Sequence, residues 1–182
     1  MRTTMKFFIS LVVVLGLHGV GQAAEPCCDA DMARFSSEMA RADEAAILQA
    51  VEGFAEGFIR GDLVMLTNLW DASAADQVSF IPVERELPLY GIDSVRAYYA
   101  GHLVNFVTLS GDVTDVQIQR LGSLAFVSCR YNWVTRSPYG GPATLQPTRA
   151  TLVLRKQGRR WLYLHMHESI TFAYQAPDVA VP

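Results

Sequence analysis

From Asp43 onward, apolar side chains recur at Ile47, Val51, Phe54 and Phe58, while Glu44, Glu52 and Glu56 fall off that stripe. Steps of three and four residues are the signature of an amphipathic helix with one buried face. Gly61 and Asp62 then read as a stop followed by a start: a glycine suited to the left-handed position after a helix, and a carboxylate suited to cap the next one. A second, shorter helix is predicted from Leu63 to about Trp70, with Leu66 and Leu69 inward. Residues 77–83 (QVSFIPV) alternate as a short strand, and Pro82 puts it near an edge or an end. Gly91-Ile92-Asp93 opens a third helix, with Asp93 as its expected cap and Val95, Tyr98, Tyr99, Leu103 and Phe106 along it.

The second half changes period. Residues 113–121, 124–135, 148–157 and 160–172 read as four strands, joined by turn pairs at Gly122-Ser123 and Gln157-Gly158 and by a Pro- and Gly-rich loop over 137–147. If both pairs are two-residue turns, Arg130 faces Asp115, Ser128 faces Gln117, and Asn132 faces Val113. Likewise Arg149 faces Met166, Thr151 faces Leu164, and Val153 faces Leu162, all on one sheet face with Glu168. A one-residue slip would move each of these to the other face. The face with Asp115, Gln117, Ser128, Arg130 and Asn132 is polar; the face with Val116, Ile118, Val127, Tyr131 and Trp133 is apolar. Either the polar face lines a hollow and Arg130 holds an anionic group, or it meets solvent and Arg130 pairs with Asp115. Helices followed by an antiparallel sheet make an α+β plan.

The first residues do not belong to that plan. Arg2 and Lys6 precede an apolar run over 7–17, which is too short to span a bilayer, and Gly21-Gln22-Ala23 offers small residues where a signal peptidase reads. The expectation is a signal peptide over 1–23, a flexible leader over 24–42, a domain over 43–172 and a tail over 173–182, in a protein exported to the periplasm or secreted. Cleavage removes two cations and no acids, and leaves no membrane segment. Export places Cys27, Cys28 and Cys129 in an oxidising compartment; adjacent cysteines seldom bridge each other, so Cys129 or another chain is the open alternative.

The 182 residues suffice for one ordinary domain, and the 51% hydrophobic and 10% aromatic content excludes a disordered chain. A net charge of -3 argues against a nucleic-acid partner, which would require a basic surface.

Four stretches carry a family resemblance. They are Phe58-Ile59-Arg60-Gly61-Asp62-Leu63; Leu89-Tyr90-Gly91-Ile92 leading to Val95-Arg96-Ala97-Tyr98-Tyr99; Arg149 through Lys156; and Gly158 through Trp161 to His165-Met166-His167-Glu168-Ser169. Their order and spacing resemble the SnoaL-like group of the nuclear transport factor 2 superfamily. The resemblance implies a cone-shaped half-barrel, a curved mixed or antiparallel sheet with three helices on its concave face, and a homodimer formed through the exposed sheet. Isomerases, cyclases, dehydratases, scaffolds and plain binders share this fold, so it does not by itself assign a function.

Counting from the shared motifs, the phenolic donor of a ketosteroid-isomerase-like site falls on Phe54 and its carboxylate base on Ile81, so both groups are missing. The association domain of calcium/calmodulin-dependent kinase II looks similar near Arg130; its second pocket arginine falls on Thr151, two residues beyond Arg149, and its third on Glu168, of the opposite sign. The candidate ligand-binding residues are therefore Arg130, Arg149, Asn132, Glu168, Tyr98, Phe54, Phe58, Trp70, Phe80 and Met166. Glu168 and His167 are the catalytic candidates, with Glu168 the better acid–base because an apolar pocket raises its proton affinity. His165 and His167 share a strand face but lack a third ligand of obvious spacing, His102 being on a helix of unknown position. They are read as structural or interface residues, and no metal or cofactor is assigned. The expected function is binding of a small amphipathic or carboxylate-bearing molecule. A cofactor-free lyase, isomerase or cyclase and a non-catalytic assembly module stand as alternatives.

Overall fold

A computed structural model describes residues 26–170, with side chains from residue 32 onward. The expected signal peptide, the tail and the side chains of Cys27 and Cys28 lie outside the described residues. The chain divides into two compact units, Met1–Ser36 and Ser37–Pro182; the second is the subject below.

Helix α1 (Pro26–Arg60) begins within the stretch expected to be a leader and carries the stripe from Ile47 to Phe58. It stops where the glycine predicts: Gly61 takes φ 65°, and the Asp62 N–H donates back to the Gly57 carbonyl at 2.9 Å. Asp62 then caps α2 (Leu63–Thr67) by accepting from the Met65 N–H at 2.9 Å. After a single tight turn (Ala72–Ala74) come β1 (Ser79–Ile81), β2 (Leu89–Tyr90) and α3 (Ile92–Asn105). The expected Asp93 cap is corrected: Gly91, at φ 79°, is the capping residue and Asp93 lies inside the first turn, where its charge faces the helix dipole. Four long strands follow, β3 (Val107–Leu121), β4 (Leu124–Arg136), β5 (Thr144–Gln157) and β6 (Arg160–Ile170).

The six strands form one sheet in the order β2-β1-β6-β5-β4-β3, antiparallel throughout except for the parallel β1–β6 pair. This is the expected α+β, mixed-sheet cone. Next to its turn the β3–β4 register is as predicted, with Gln117 opposite Ser128. A bulge at Asp115 and Val116 then shifts Arg130 opposite Thr114 and Asn132 opposite Asp112. The second hairpin departs further. Its turn is Gly158-Arg159, so Gln157 faces Arg160, and Leu164 is an unpaired extra residue. The shift totals three residues, an odd number, so Arg149 meets Ser169 and Glu168 meets Ala150. Arg149 and Glu168 therefore occupy opposite faces, contrary to the expectation.

The apolar face of the sheet is the inner one. Val127, Tyr131, Trp133, Leu152, Tyr163 and Met166 are buried there against Ile47, Val51 and Phe54 of α1. Tyr131 and Tyr163 place their rings in this core and donate their hydroxyls to the Val51 and Ala50 carbonyls at 3.0 and 2.8 Å. At one rim, Asp43 accepts from Arg120 at 2.7 Å, Lys156 at 2.5 Å and Trp161 at 3.3 Å, tying α1 to three strands. At another, the buried Asp71 accepts from Ser73, Gln157 and the Arg155 Nε at 2.6 to 2.9 Å. Burial alone would push Asp71 up, but the hydrogen bonds from Ser73 and Arg155 prevail and hold it below the usual carboxylate range. No described helix is long and apolar enough to cross a membrane.

Asp71→Ala removes the common acceptor and leaves Arg155 and Gln157 without it. Urea unfolding should show a loss of about 3 kcal/mol, whereas Asp93→Ala should cost well under half as much.

Candidate functional site

Beneath α3 the core does not close. A cavity of about 100 Å³ remains between α3, the β1–β2 connection and the inner face of β3 to β6. That is the same order as the roughly 150 Å³ hollow that accepts a benzene ring. Phe58 from α1, Phe80 from β1, Tyr98, His102 and Phe106 from and just after α3, and Trp133 from β4 supply the rings of its wall. The spacing 98, 102, 106 sets three rings along one side of α3, and His102 packs on Phe58 and Phe106 at 4.9 Å between centroids.

Glu168 lies at the inner end. Residues 166 and 168 both face inward on β6, so the carboxylate enters a wall of aromatic rings interspersed with threonines and Gln146. Trp133 Nε1 and Thr148 Oγ1 both donate to Oε1, at 3.3 and 3.0 Å. Among the described residues nothing donates to Oε2, and no fully enclosed side-chain oxygen lacks a partner, so Oε2 meets the cavity. Burial raises the Glu168 carboxyl to about 7, against the two hydrogen bonds that favour its charge; the Glu84 charge raises it further. Burial also lowers His102, so its imidazole is neutral at neutral pH. At the outer end the Tyr98 hydroxyl donates to Glu84 at 2.9 Å, and burial followed by the Glu84 charge holds that phenol protonated.

Trp133 reaches Glu168 because the residue opposite it is Gly111: a Cβ there would come within 2.6 Å of the indole ring. This glycine is required by close approach, not by backbone angle.

The sequence model of the SnoaL-like domain matches residues 47–173. The chain belongs to the SnoaL-like domain family. Among solved structures it is similar to a candidate dehydratase of the NTF2-like family from Streptomyces avermitilis, at 30% identity over 71% of this chain and 96% of that one, with a TM-score of 0.62. It shares the fold of a candidate scytalone dehydratase from Novosphingobium aromaticivorans, at 12% identity, 80% and 99% coverage and TM-score 0.66. It also shares the fold of a ketosteroid isomerase-like protein from Erwinia carotovora atroseptica, at 17% identity, 71% and 96% coverage and TM-score 0.59. Among curated proteins there is no match.

In this SnoaL-like domain Glu168, Tyr98, Phe58 and Phe80 are brought together around the cavity. Phe54, Trp70 and Met166 are core residues behind the wall: Phe54 is ringed by other aromatics, and Trp70 donates to the Tyr99 hydroxyl at 3.0 Å. Arg130, Arg149, Asn132 and His167 are on the outer face of the sheet and cannot reach the cavity. For Arg130 the alternative reading holds, since its guanidinium lies 3.7 Å from Asp115. His165 also faces outward, sharing a 2.8 Å hydrogen bond with Ser79. No group of three or more His, Cys, Asp or Glu among the described residues is placed to hold a metal. Cys129 is a buried free thiol, pushed up to about 12 by desolvation. Sequence reasoning missed Trp133 and Thr148 as partners of Glu168 and left His102 unplaced. The inward alternation 131, 133 was a signal for the first, and the 98, 102, 106 spacing for the last.

The raised Glu168 carboxyl makes stability depend on pH with a definite sign. Above about pH 4.5 the unfolded chain releases this proton while the folded one keeps it, so stability falls until about pH 7. Glu168→Gln keeps an acceptor for Trp133 and Thr148 without the charge. Relative to wild type, this variant should gain on the order of 3 kcal/mol between pH 4.5 and pH 8 in paired denaturation curves; parallel curves would show that Glu168 is not shifted.

Proposed function

We propose that this SnoaL-like domain binds a small, uncharged, ring-sized amphipathic molecule in its cup and that Glu168 moves a proton on it, in a cofactor-free elimination or isomerisation. The observation that carries this reading is the Glu168 carboxyl itself: Oε1 is held by two donors, Oε2 meets the cavity, and the group titrates near neutrality. A carboxyl with that proton affinity can take a proton and return it at similar cost. In an elimination, a carbon next to a carbonyl gives its proton to Oε2. The electron pair forms the double bond as hydroxide leaves, and the hydroxide takes the same proton to depart as water. In an isomerisation the proton returns to a different carbon. Either way the carboxylate is regenerated and no co-reactant is consumed.

The wall chemistry supports an uncharged ligand. It contributes Glu168 and Glu84 but no guanidinium or ammonium, since Arg130 and Arg149 face outward. A carboxylate-bearing ligand, one option in the sequence reading, loses its counter-charge. Neutral His102 remains to orient a hydroxyl or carbonyl, and the aromatic wall suits a ring. The likeness to a candidate dehydratase at 30% identity supports elimination as the first reaction to test. A cavity that ends on an ionisable group supports binding over a purely structural module. Export by the 1–23 segment belongs to the same proposal; N-terminal sequencing of the mature protein reads it.

Cyclic β-hydroxy ketones of one ring are the compounds to titrate, with binding read by NMR and enone formation by absorbance. Wild type and Glu168→Gln should both bind, while turnover should drop by roughly 10² or more in the variant. Absence of binding across a panel of neutral single-ring compounds would refute the pocket, and turnover surviving in Glu168→Gln would refute the role of the carboxyl.

A further inference from the structure

The inner face of the sheet changes character where it borders the cavity. Elsewhere its inward positions are apolar, with Val127 and Tyr131 on β4, Leu152 on β5 and Met166 on β6 packed towards α1. Further along the same parity they become Trp133 and Thr135 on β4, Thr148 and Gln146 on β5, and Glu168 on β6. Thr108 of β3, directly opposite Thr135, completes the change. Inward positions of a packed sheet ordinarily take apolar side chains, because a buried polar atom must find a partner.

Only some of these groups find one within the protein. Trp133 and Thr148 donate to Glu168. Thr108, Thr135 and Gln146 make no side-chain hydrogen bond among the described residues. Thr108 decides the matter, because it is only 6% exposed. No fully enclosed side-chain oxygen among the described residues lacks a partner, so the Thr108 hydroxyl opens on the cavity. A hydroxyl both donates and accepts, and an amide offers two donors and an acceptor, so the three side chains suit neutral oxygen groups rather than an ion. Gln146 lies two residues beyond Thr148, which holds Glu168, and such a step along a strand is about 6.7 Å. That separation matches oxygens on non-adjacent carbons of one ring.

We propose that Thr108, Thr135 and Gln146 form an oxygen-binding subsite of the cup, and that the ligand is a ring with two neutral oxygen substituents on non-adjacent carbons. One oxygen meets Glu168 and the other meets this row, while a face of the ring lies on the aromatic side chains of α3. Gln146 determines the specificity: it is opposite Trp133, itself bound to Glu168, and so stands nearest the carboxyl. A ring with a single oxygen leaves the row unpaired, and that loss is the source of discrimination. The subsite rests on the reading of the cup as the ligand site but not on proton transfer by Glu168. Cyclic β-hydroxy ketones carry their oxygens in the required relation.

The test titrates the full chain by NMR with phenol, which has one oxygen, with resorcinol, which adds a second in the meta position, and with catechol, whose two oxygens are adjacent. Resorcinol should bind about fivefold tighter than phenol or better, and catechol should gain less. Gln146→Leu should erase the resorcinol preference and leave phenol affinity unchanged, and Thr135→Val should reduce the preference. Both positions are half-buried, and circular dichroism should report an unchanged fold. Glu168→Gln should retain the preference, so turnover that survives in that variant sinks the role of the carboxyl and leaves the subsite standing. Equal binding of phenol and resorcinol, a preference for catechol, or a resorcinol preference that persists in both Gln146→Leu and Thr135→Val would overturn the subsite alone. Absence of binding by all three compounds would overturn it together with the cup.

Discussion

The architecture depends on an aromatic contact between one helix and the sheet that curves around it. Phe54 stands at its centre, with Phe58, Phe80, Tyr99, Tyr131, Trp133 and Tyr163 at centroid distances of 5.1 to 6.3 Å, mostly edge-on. Large flat side chains fill the curve at native density where aliphatic ones would leave gaps, and edge-to-face packing adds to the area they bury. Their polar atoms are the constraint, because a buried hydroxyl must find a partner. Tyr131 and Tyr163 solve this by donating to carbonyls of α1, and Trp70 and Tyr99 by bonding each other. The helix is thus held in depth and in register along its axis.

The cavity is what this contact leaves over. Past Phe58 the rings continue along α3 as Tyr98, His102 and Phe106, but the space between them and the sheet is not filled. A carboxylate there is costly to ionise, which is why Glu168 holds its proton to near neutrality despite two good donors. The same low-polarity surroundings keep His102 neutral and Tyr98 protonated. Burial is the first cause for all three side chains; the Glu84 charge adds to it at Glu168 and Tyr98 and opposes it at His102.

Parity along the strands separates two chemistries that share the sheet. Glu168 and His167 are neighbours in the chain and face opposite ways; so do Thr148 and Arg149. The inner set is largely aromatic, with acids but no guanidinium or ammonium group, and the outer set is basic and hydroxyl-rich. The bulges decide which residues join each set. The extra residue at Leu164 places Ala150 rather than Arg149 opposite Glu168, and the bulge at Asp115 keeps that carboxylate near Arg130 while moving their backbone pairing apart.

Elements and their order were legible in the chain because periodicity, the Gly61-Asp62 break and the glycine turns are local signals. The stripe from Ile47 to Phe58, the cap at Asp62 and the α+β plan all follow from residues close to one another. The SnoaL-like resemblance rests on the same local stretches. Which sheet face meets solvent was not local. It turned on a two-residue register shift at the Gly158-Arg159 turn and one bulged residue, Leu164, and an odd total reverses every face beyond it. Hence Arg130, Arg149, Asn132 and His167 were legible as chemically notable but not as residents of the outer surface. Trp133, Thr148 and His102 became partners of the cavity only when strands and a helix distant in sequence closed around it. Local residue patterns determine which segments fold and how; the proton affinity of Glu168 and the company it keeps depend on burial, which exists only once the whole domain has packed.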